Sequence, residues 1–286
     1  MRELAFRLVN VFAQEGNPFS GNPLCVFADG AGLTDEAMQA IARQTNLAET
    51  TFLLPSSTRD ATARVRIFTP SLEMPFAGHP TLGTAHVVSR MHGGARHIVL
   101  EMRAGLVSVD AEDNLWTLET AHPPRTRAPE ASPEALAAML GVAKLGGAPL
   151  WVNTGVEQLV IPLATAADVT AAQPKIDMLT TLAARTSGDK SSAYVWAHVG
   201  DPREGKVVAR YFFVQNGGVL EDPATGSACA NLGGWLLANG ATEPVQLAID
   251  QGSAVGRPST LGLLVAKGRV FVSGLVAEAG SGVMLV

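Results

Sequence analysis

The chain has 286 residues, with 21 Lys plus Arg against 26 Asp plus Glu for a formal net charge of −5, and 47% of its residues are hydrophobic against 16% charged. That much apolar material excludes a mainly disordered chain, and the acidic balance lacks the basic excess that a nucleic-acid footprint needs. The length suits one large domain or two of roughly 120–160 residues each.

The two cysteines, Cys25 and Cys229, can supply neither a four-sulfur zinc site nor a disulfide framework, so a reducing, cytoplasmic setting is expected. The amino-terminal residues read as a strand, not as a secretory signal. No membrane partner is expected either, because the richest apolar stretch, 226–241, is interrupted by Asn231, Asn239 and several glycines.

In chain order, Val-, Ile-, Leu- and Phe-rich runs predict strands at 4–12 and 24–28. A helix follows over 34–46, where Leu33, Ala37, Met38, Ile41 and Ala42 share one face and Thr34 is placed to cap. Strands are then predicted at 51–54 and 63–69, and a helix over 81–91 led by Pro80. Three more strands, at 97–102, 105–110 and 115–119, complete a strand-dominated first half. The composition changes abruptly at 122–135, which holds four prolines and reads as a linker. Beyond it the pattern predicts helices at 133–140, 165–171, 176–185 and 227–238. Strands are predicted at 150–152, 156–163, 193–199, 207–214, 245–250, 262–267, 270–276 and 283–286. The expected organisation is an N-terminal lobe over 1–121, the linker, and a C-terminal lobe over 136–286 whose last strand is free to return to the first lobe.

The halves echo each other. A strand ending at Phe68 is followed by Glu73 and then Ala77-Gly78-His79 and a helix; in the second half come Phe213, Glu221 and Thr225-Gly226-Ser227 and a helix. Both acidic-to-glycine intervals span five positions. Without a regular βαβ rhythm, the expected class is α+β with two similar lobes.

Both glycine-containing loops lie where a strand meets a helix. A helix start leaves several backbone N–H groups unpaired and carries partial positive charge, so Gly78 on one side and Thr225, Gly226 and Ser227 on the other could hold a small anion. Asp222, Thr225 and Ser227 also read as caps and turn formers. Glu49 has apolar or small neighbours, and burial there would raise its pKa toward that of a general acid or base; an exposed residue between helix and strand is the plainer reading. Of the six histidines, His79 sits at a strand-to-helix corner and suits proton transfer. His79 and His86 are seven apart, but with no acidic ligand in register a metal site is not expected. The SxxK spacing at 187–190 lacks its companion elements, and no GxGxxG or P-loop pattern is present.

Four ordered motifs resemble one family. They are Asn17-Pro18-Phe19-Ser20-Gly21-Asn22-Pro23-Leu24-Cys25-Val26-Phe27; the run from Met38 to Thr50; Phe68-Thr69-Pro70 with Gly78-His79-Pro80-Thr81; and Glu221-Asp222-Pro223-Ala224-Thr225-Gly226-Ser227-Ala228. In this order they resemble the phenazine-biosynthesis PhzF-like family, with 256–259 as a weaker echo and nothing matched over 122–205. The resemblance implies the diaminopimelate epimerase-like fold, two lobes each with a strand layer wrapped around a central helix and an active site in the cleft between them. It implies isomerase chemistry without a cofactor, moving a proton between carbons of a small carboxylic acid, and a homodimer. Carried over, the essential glutamate falls on Glu49, the motif histidine on His79, the acidic partner on Asp222 and the motif serine on Ser227. Related epimerases use paired cysteines, which neither loop contains. Two other readings stay open: a non-catalytic carboxylate-binding or interaction protein on the same fold, and, disfavoured by the histidine spacing, a metal-dependent hydrolase. A single sequence does not reveal the substrate.

Overall fold

Local signals build the first helix as expected. In the computed structural model, which describes residues 2–186 and 190–286, α1 (Asp35–Thr45) is capped by the Thr34 side chain accepting from the Ala37 N–H and stops at Asn46 in the left-handed region. The first three residues of the SxxK spacing lie outside the described residues. By its contacts the chain divides into two units, Met1–Glu119 with Ser273–Val286, and Thr120–Val272.

The first unit holds β1 (Glu3–Ala13), β2 (Asn22–Phe27), α1, β3 (Glu49–Leu54), β4 (Ala63–Phe68), β5 (Glu73–Met74), α2 (Gly78–Met91), β6 (His97–Met102), β7 (Gly105–Glu112) and β8 (Leu115–Glu119). Its pairings run β1 antiparallel to β2, β2 parallel to β3, β3 antiparallel to β4, β4 parallel to β6, β6 antiparallel to β7 and β7 antiparallel to β8. The second unit holds β9 (Arg125–Arg127), α3 (Pro133–Leu140), β10 (Leu150–Asn153), β11 (Glu157–Pro162), α4 (Ala166–Ala171), α5 (Ile176–Leu182), β12 (Ser192–His198), β13 (Lys206–Gln215), β14 (Gly218–Asp222), α6 (Gly226–Ala238), β15 (Val245–Gln251), β16 (Ser259–Ala266) and the start of β17 (Arg269–Leu285). β17 then pairs with β8 and, from Leu275 to Leu285, antiparallel with β1, so the strands of the first unit close into a ring.

That ring surrounds α2, which packs against β1, β2, β3, β6, β7 and β8 and is buried at every position from His79 to Ser89. A helix enclosed on all sides needs small residues where strands come close. A Cβ on Gly83 would lie 2.7 Å from Leu24 Cδ2 and 2.8 Å from Val11 Cγ2. In the second unit α6 packs against β9, β10, β11 and β16, and a Cβ on Gly233 would lie 2.7 Å from Val270 Cγ1, one on Gly234 2.7 Å from Val152 Cγ1. The shorter helices cover the opposite sides of the strands: Met38, Ile41 and Ala42 of α1 pack on Phe27, Phe52 and Phe68, while Leu136, Met139, Val169 and Leu179 pack on Leu159, Val195 and Phe212.

The order of pairings recurs in the second unit. β10 is antiparallel to β11, β11 parallel to β12, β12 antiparallel to β13, β13 parallel to β15 and β15 antiparallel to β16. A side clasp recurs with it. Arg66 on β4 grips Glu73 on β5 through Nε and Nη2 at 2.8 Å each, and Arg210 on β13 grips Glu221 on β14 at 3.1 and 2.7 Å. Register corrects the sequence comparison by one residue, because Glu221 faces Phe212, as Glu73 faces Phe68, whereas Phe213 faces Leu220.

Within the 122–135 segment expected to link the halves, Arg125–Arg127 form a short strand paired with Asn153–Trp151, ahead of α3 at Pro133. Two further expectations change. The helix placed at 81–91 begins at Gly78, with Pro80 in its first turn, where its absent N–H costs nothing. The strands at 270–276 and 283–286 are one continuous β17, because pairing with β1 holds the weak Ala277–Gly282 stretch extended.

Candidate active site

The predicted site residues fall into two groups, one in each unit. In the first, β2 and β3 lie parallel with Leu24 opposite Glu49, and α2 starts beside them. Glu49 Oε2 lies 3.2 Å from His79 Nε2, and the two side chains are 15% and 8% exposed. Glu49 is therefore enclosed, not the solvated residue of the plainer reading. Burial pushes His79 down to about 3, opposed by a hydrogen bond with the Pro23 backbone, so the imidazole is neutral at neutral pH.

The Asn17–Phe27 motif explains that backbone position. Ser20 Oγ donates to Asn17 O and accepts from Gln14 N–H, and Asn10 Nδ2 donates to Pro18 O at 2.6 Å. At Gly21, φ is +82° and a Cβ would come within 2.5 Å of Val11 O, so glycine alone fits the turn that aims Pro23 at His79. Gly78 opens α2, whose N-cap Ala77 has no capping side chain; the N–H groups of Gly78 and His79 precede the first helical bond, Thr81 N–H to Ala77 O.

In the second unit Asp222 ends β14 and Oδ2 accepts from Thr225 Oγ1 at 2.5 Å. The Thr225 hydroxyl is thus committed to Asp222 and does not cap α6, whose first helical bonds reach Thr225 O from Ala228 and Cys229. The N–H groups of Gly226 and Ser227 precede them. Gln251 Nε2 donates to Asp222 O at 2.8 Å and to Thr225 Oγ1 at 3.1 Å, and Ser227 Oγ accepts from Gln158 Nε2 at 3.0 Å. Behind it, Asn231 Nδ2 donates to Gln158 Oε1, and Asn231 Oδ1 accepts from both the N–H and the hydroxyl of Thr154. Buried polar groups must be paired, and this chain of amides fixes the Ser227 rotamer. Sequence reasoning missed Gln158, Asn231 and Gln251. Their one signal was amide side chains inside otherwise apolar strands and a small-residue helix.

Neither cysteine is poised for chemistry. Burial pushes the Cys25 thiol up to about 12 and raises that of Cys229, whose Sγ lies 3.8 Å from Gly262 O. Among the described residues no group of three His, Cys, Asp or Glu is arranged to hold a metal ion, and no helix is long and apolar enough to cross a membrane. A recess of about 590 Å³ lined by Gln14, Asn17, Glu112, Asp113, Asn114 and Leu275 contains none of the predicted site residues.

Comparison with known proteins gives the class. An uncharacterized isomerase of Pasteurella multocida is 37% identical, covering 99% of this chain and 94% of that protein. The trans-2,3-dihydro-3-hydroxyanthranilate isomerase of Pseudomonas aeruginosa is 35% identical over 89% and 87%. A crystal structure of a PhzF-family phenazine biosynthesis protein from Bacillus anthracis matches with a TM-score of 0.85 at 22% identity, covering 100% of both chains. The protein is an isomerase. It belongs to the phenazine biosynthesis-like family, whose model matches residues 9–282.

Proposed function

We propose that this isomerase moves a proton between carbons of a small carboxylic acid without a cofactor, with Glu49 as the acid and base. Glu49 takes a proton from one carbon and the resulting carboxylic acid returns it to another, while the electron pair left behind shifts the double bond; one residue serves both steps. His79 and Asp222 orient the substrate. Thr225, Gly226 and Ser227 bind a substrate carboxylate through the N–H groups of the α6 start and the serine hydroxyl, and Gly78 offers the corresponding N–H at the start of α2.

The observation that carries this reading is the enclosed Glu49–His79 pair at 3.2 Å. A carboxylate removed from water is a stronger base than a solvated one, and a neutral imidazole beside it can exchange a hydrogen bond without adding a charge that would weaken it. The substrate class is supported by the Pseudomonas aeruginosa relative, which its name assigns to a hydroxyanthranilate derivative.

Incubation of the protein with unsaturated, hydroxy and amino acids in D2O, read by NMR, tests it. At least one acid is expected to exchange carbon-bound hydrogen with solvent, and Glu49→Gln is expected to lower that rate by about 10²–10⁴. Full exchange by Glu49→Gln sinks the base assignment. Binding of an acid without exchange by the wild-type protein would favour recognition without catalysis.

A further inference from the structure

The recurring pairings allow the two units to be compared residue by residue. Thr50 faces Phe68, which faces Glu73; Ala193 faces Phe212, which faces Glu221. Glu73 and Glu221 each stand five positions before the glycine that opens α2 or α6. The residue before Thr50 is Glu49, and the residue before Ala193 is Ser192. The second residue of α2 is His79, and that of α6 is Ser227. Where the first unit has its acid–base pair, the second therefore has two serines.

Ser192 is fully buried, and its hydroxyl accepts from Arg185 Nη2 at 3.1 Å. The same nitrogen donates to Tyr211 Oη at 2.8 Å, and Tyr211 lies directly opposite Asp222 across the β13–β14 ladder. Among the described residues no carboxylate pairs with Arg185, and its Nε–H is buried without a protein partner. Two other guanidinium groups of this unit are paired with carboxylates, Arg210 with Glu221 and Arg127 with Glu157. A buried, charged donor left unpaired is costly, and a planar guanidinium with free N–H groups is matched to a carboxylate.

We propose that Arg185, steadied by Ser192 and Tyr211, recognises a carboxylate of the substrate in the second unit. The position that carries the base in one copy of the repeat carries, in the other, the anchor for the cation that reads substrate charge. This deepens the proposed function and rests on its assignment of carboxylate binding to the second unit. It adds a charged side chain to the backbone N–H groups and Ser227, and so predicts discrimination between acids and their uncharged analogues.

The test uses the full-length protein labelled with ¹⁵N-arginine, with the Arg185 Nε–H signal assigned by its loss in Arg185→Lys. The probes are 3-hydroxyanthranilate, benzoate and acetate, each titrated against its carboxamide. At least one acid is expected to shift the Arg185 signal and to bind about tenfold or more tightly than its amide. Arg185→Gln should abolish that preference while leaving amide binding unchanged, and Arg185→Lys should restore part of it, a pattern that loss of structure alone would not produce. If no acid shifts the signal up to its solubility limit, or if Arg185→Gln keeps the preference, the proposal is overturned. Glu49→Gln separates the two readings: it should retain the Arg185 response while losing exchange. Retained exchange in that variant would refute the base and not the anion contact.

Discussion

His79 shows how one buried residue constrains the chemistry around it. A protonated imidazole 3.2 Å from Glu49 would stabilise the carboxylate and make it a poorer base. Burial instead holds His79 at about 3, so it stays neutral at neutral pH. We therefore expect its ring ¹⁵N shifts to remain those of a neutral imidazole from about pH 8 to pH 5, where an ordinary histidine titrates near 6.5. A titration near 6.5 would remove the basis for treating His79 as an uncharged partner. Glu49, His79, Asp222 and Ser227 stood out in the sequence as candidates because they sit in ordered local motifs. Arg185 did not, because its contacts with Ser192 and Tyr211 are made by strand register and no spacing in the sequence records them.

The central helices show the same limit at the level of elements. α1 could be read residue by residue because its cap, its apolar face and its left-handed stop are all local. α2 and α6 offer no single face and are defined by the strands around them. Their glycines have the opposite sign from that in an exposed helix, where Gly→Ala is worth roughly 1 kcal/mol of stabilisation. At Gly83 the added Cβ meets Leu24 and Val11, both fully buried, and overpacking costs about 1–3 kcal/mol. Gly83→Ala is accordingly expected to lower the urea midpoint, and Gly83→Val to lower it further; a rise with alanine would mean that the surrounding strands yield easily. The merged β17 belongs to the same lesson. Gly280 and Gly282 make a weak strand on their own, yet a Cβ on Gly282 would lie 2.8 Å from the Phe6 ring, so glycine is required by the partner strand.

Across the whole molecule, three histidines titrate lower in the fold than when unfolded. Burial is the leading cause for each of His79, His86 and His198, with the Glu278 carboxylate opposing it at His86. As pH falls through about 6.5 the unfolded chain takes up protons that the folded chain refuses, so stability is full above that value and is lost toward pH 3. His79 alone contributes a slope of up to about 1.4 kcal/mol per pH unit across that window. Urea unfolding at pH 7.5, 6.5 and 5.5 should show a flat region followed by a falling midpoint, and substitution of His79 by Gln should reduce the fall. A midpoint unchanged at pH 5.5 would contradict the burial of these rings. The closure of the first unit by β17 bears on how the chain acquires its fold. Arg7 and Glu278 are joined at 2.9 Å across 271 positions of sequence, and Arg2 and Val286 exchange backbone hydrogen bonds. On the ribosome the second unit has all its strands up to β16 while β1, paired with β2 on one side, still lacks the partner for its other edge, and contacts between such distant residues slow folding because a long loop must close first. Until β17 arrives, the ring that houses Glu49 and His79 stands open along β1, and the amino-terminal half depends on a strand made after all the others described to shield that edge from other chains.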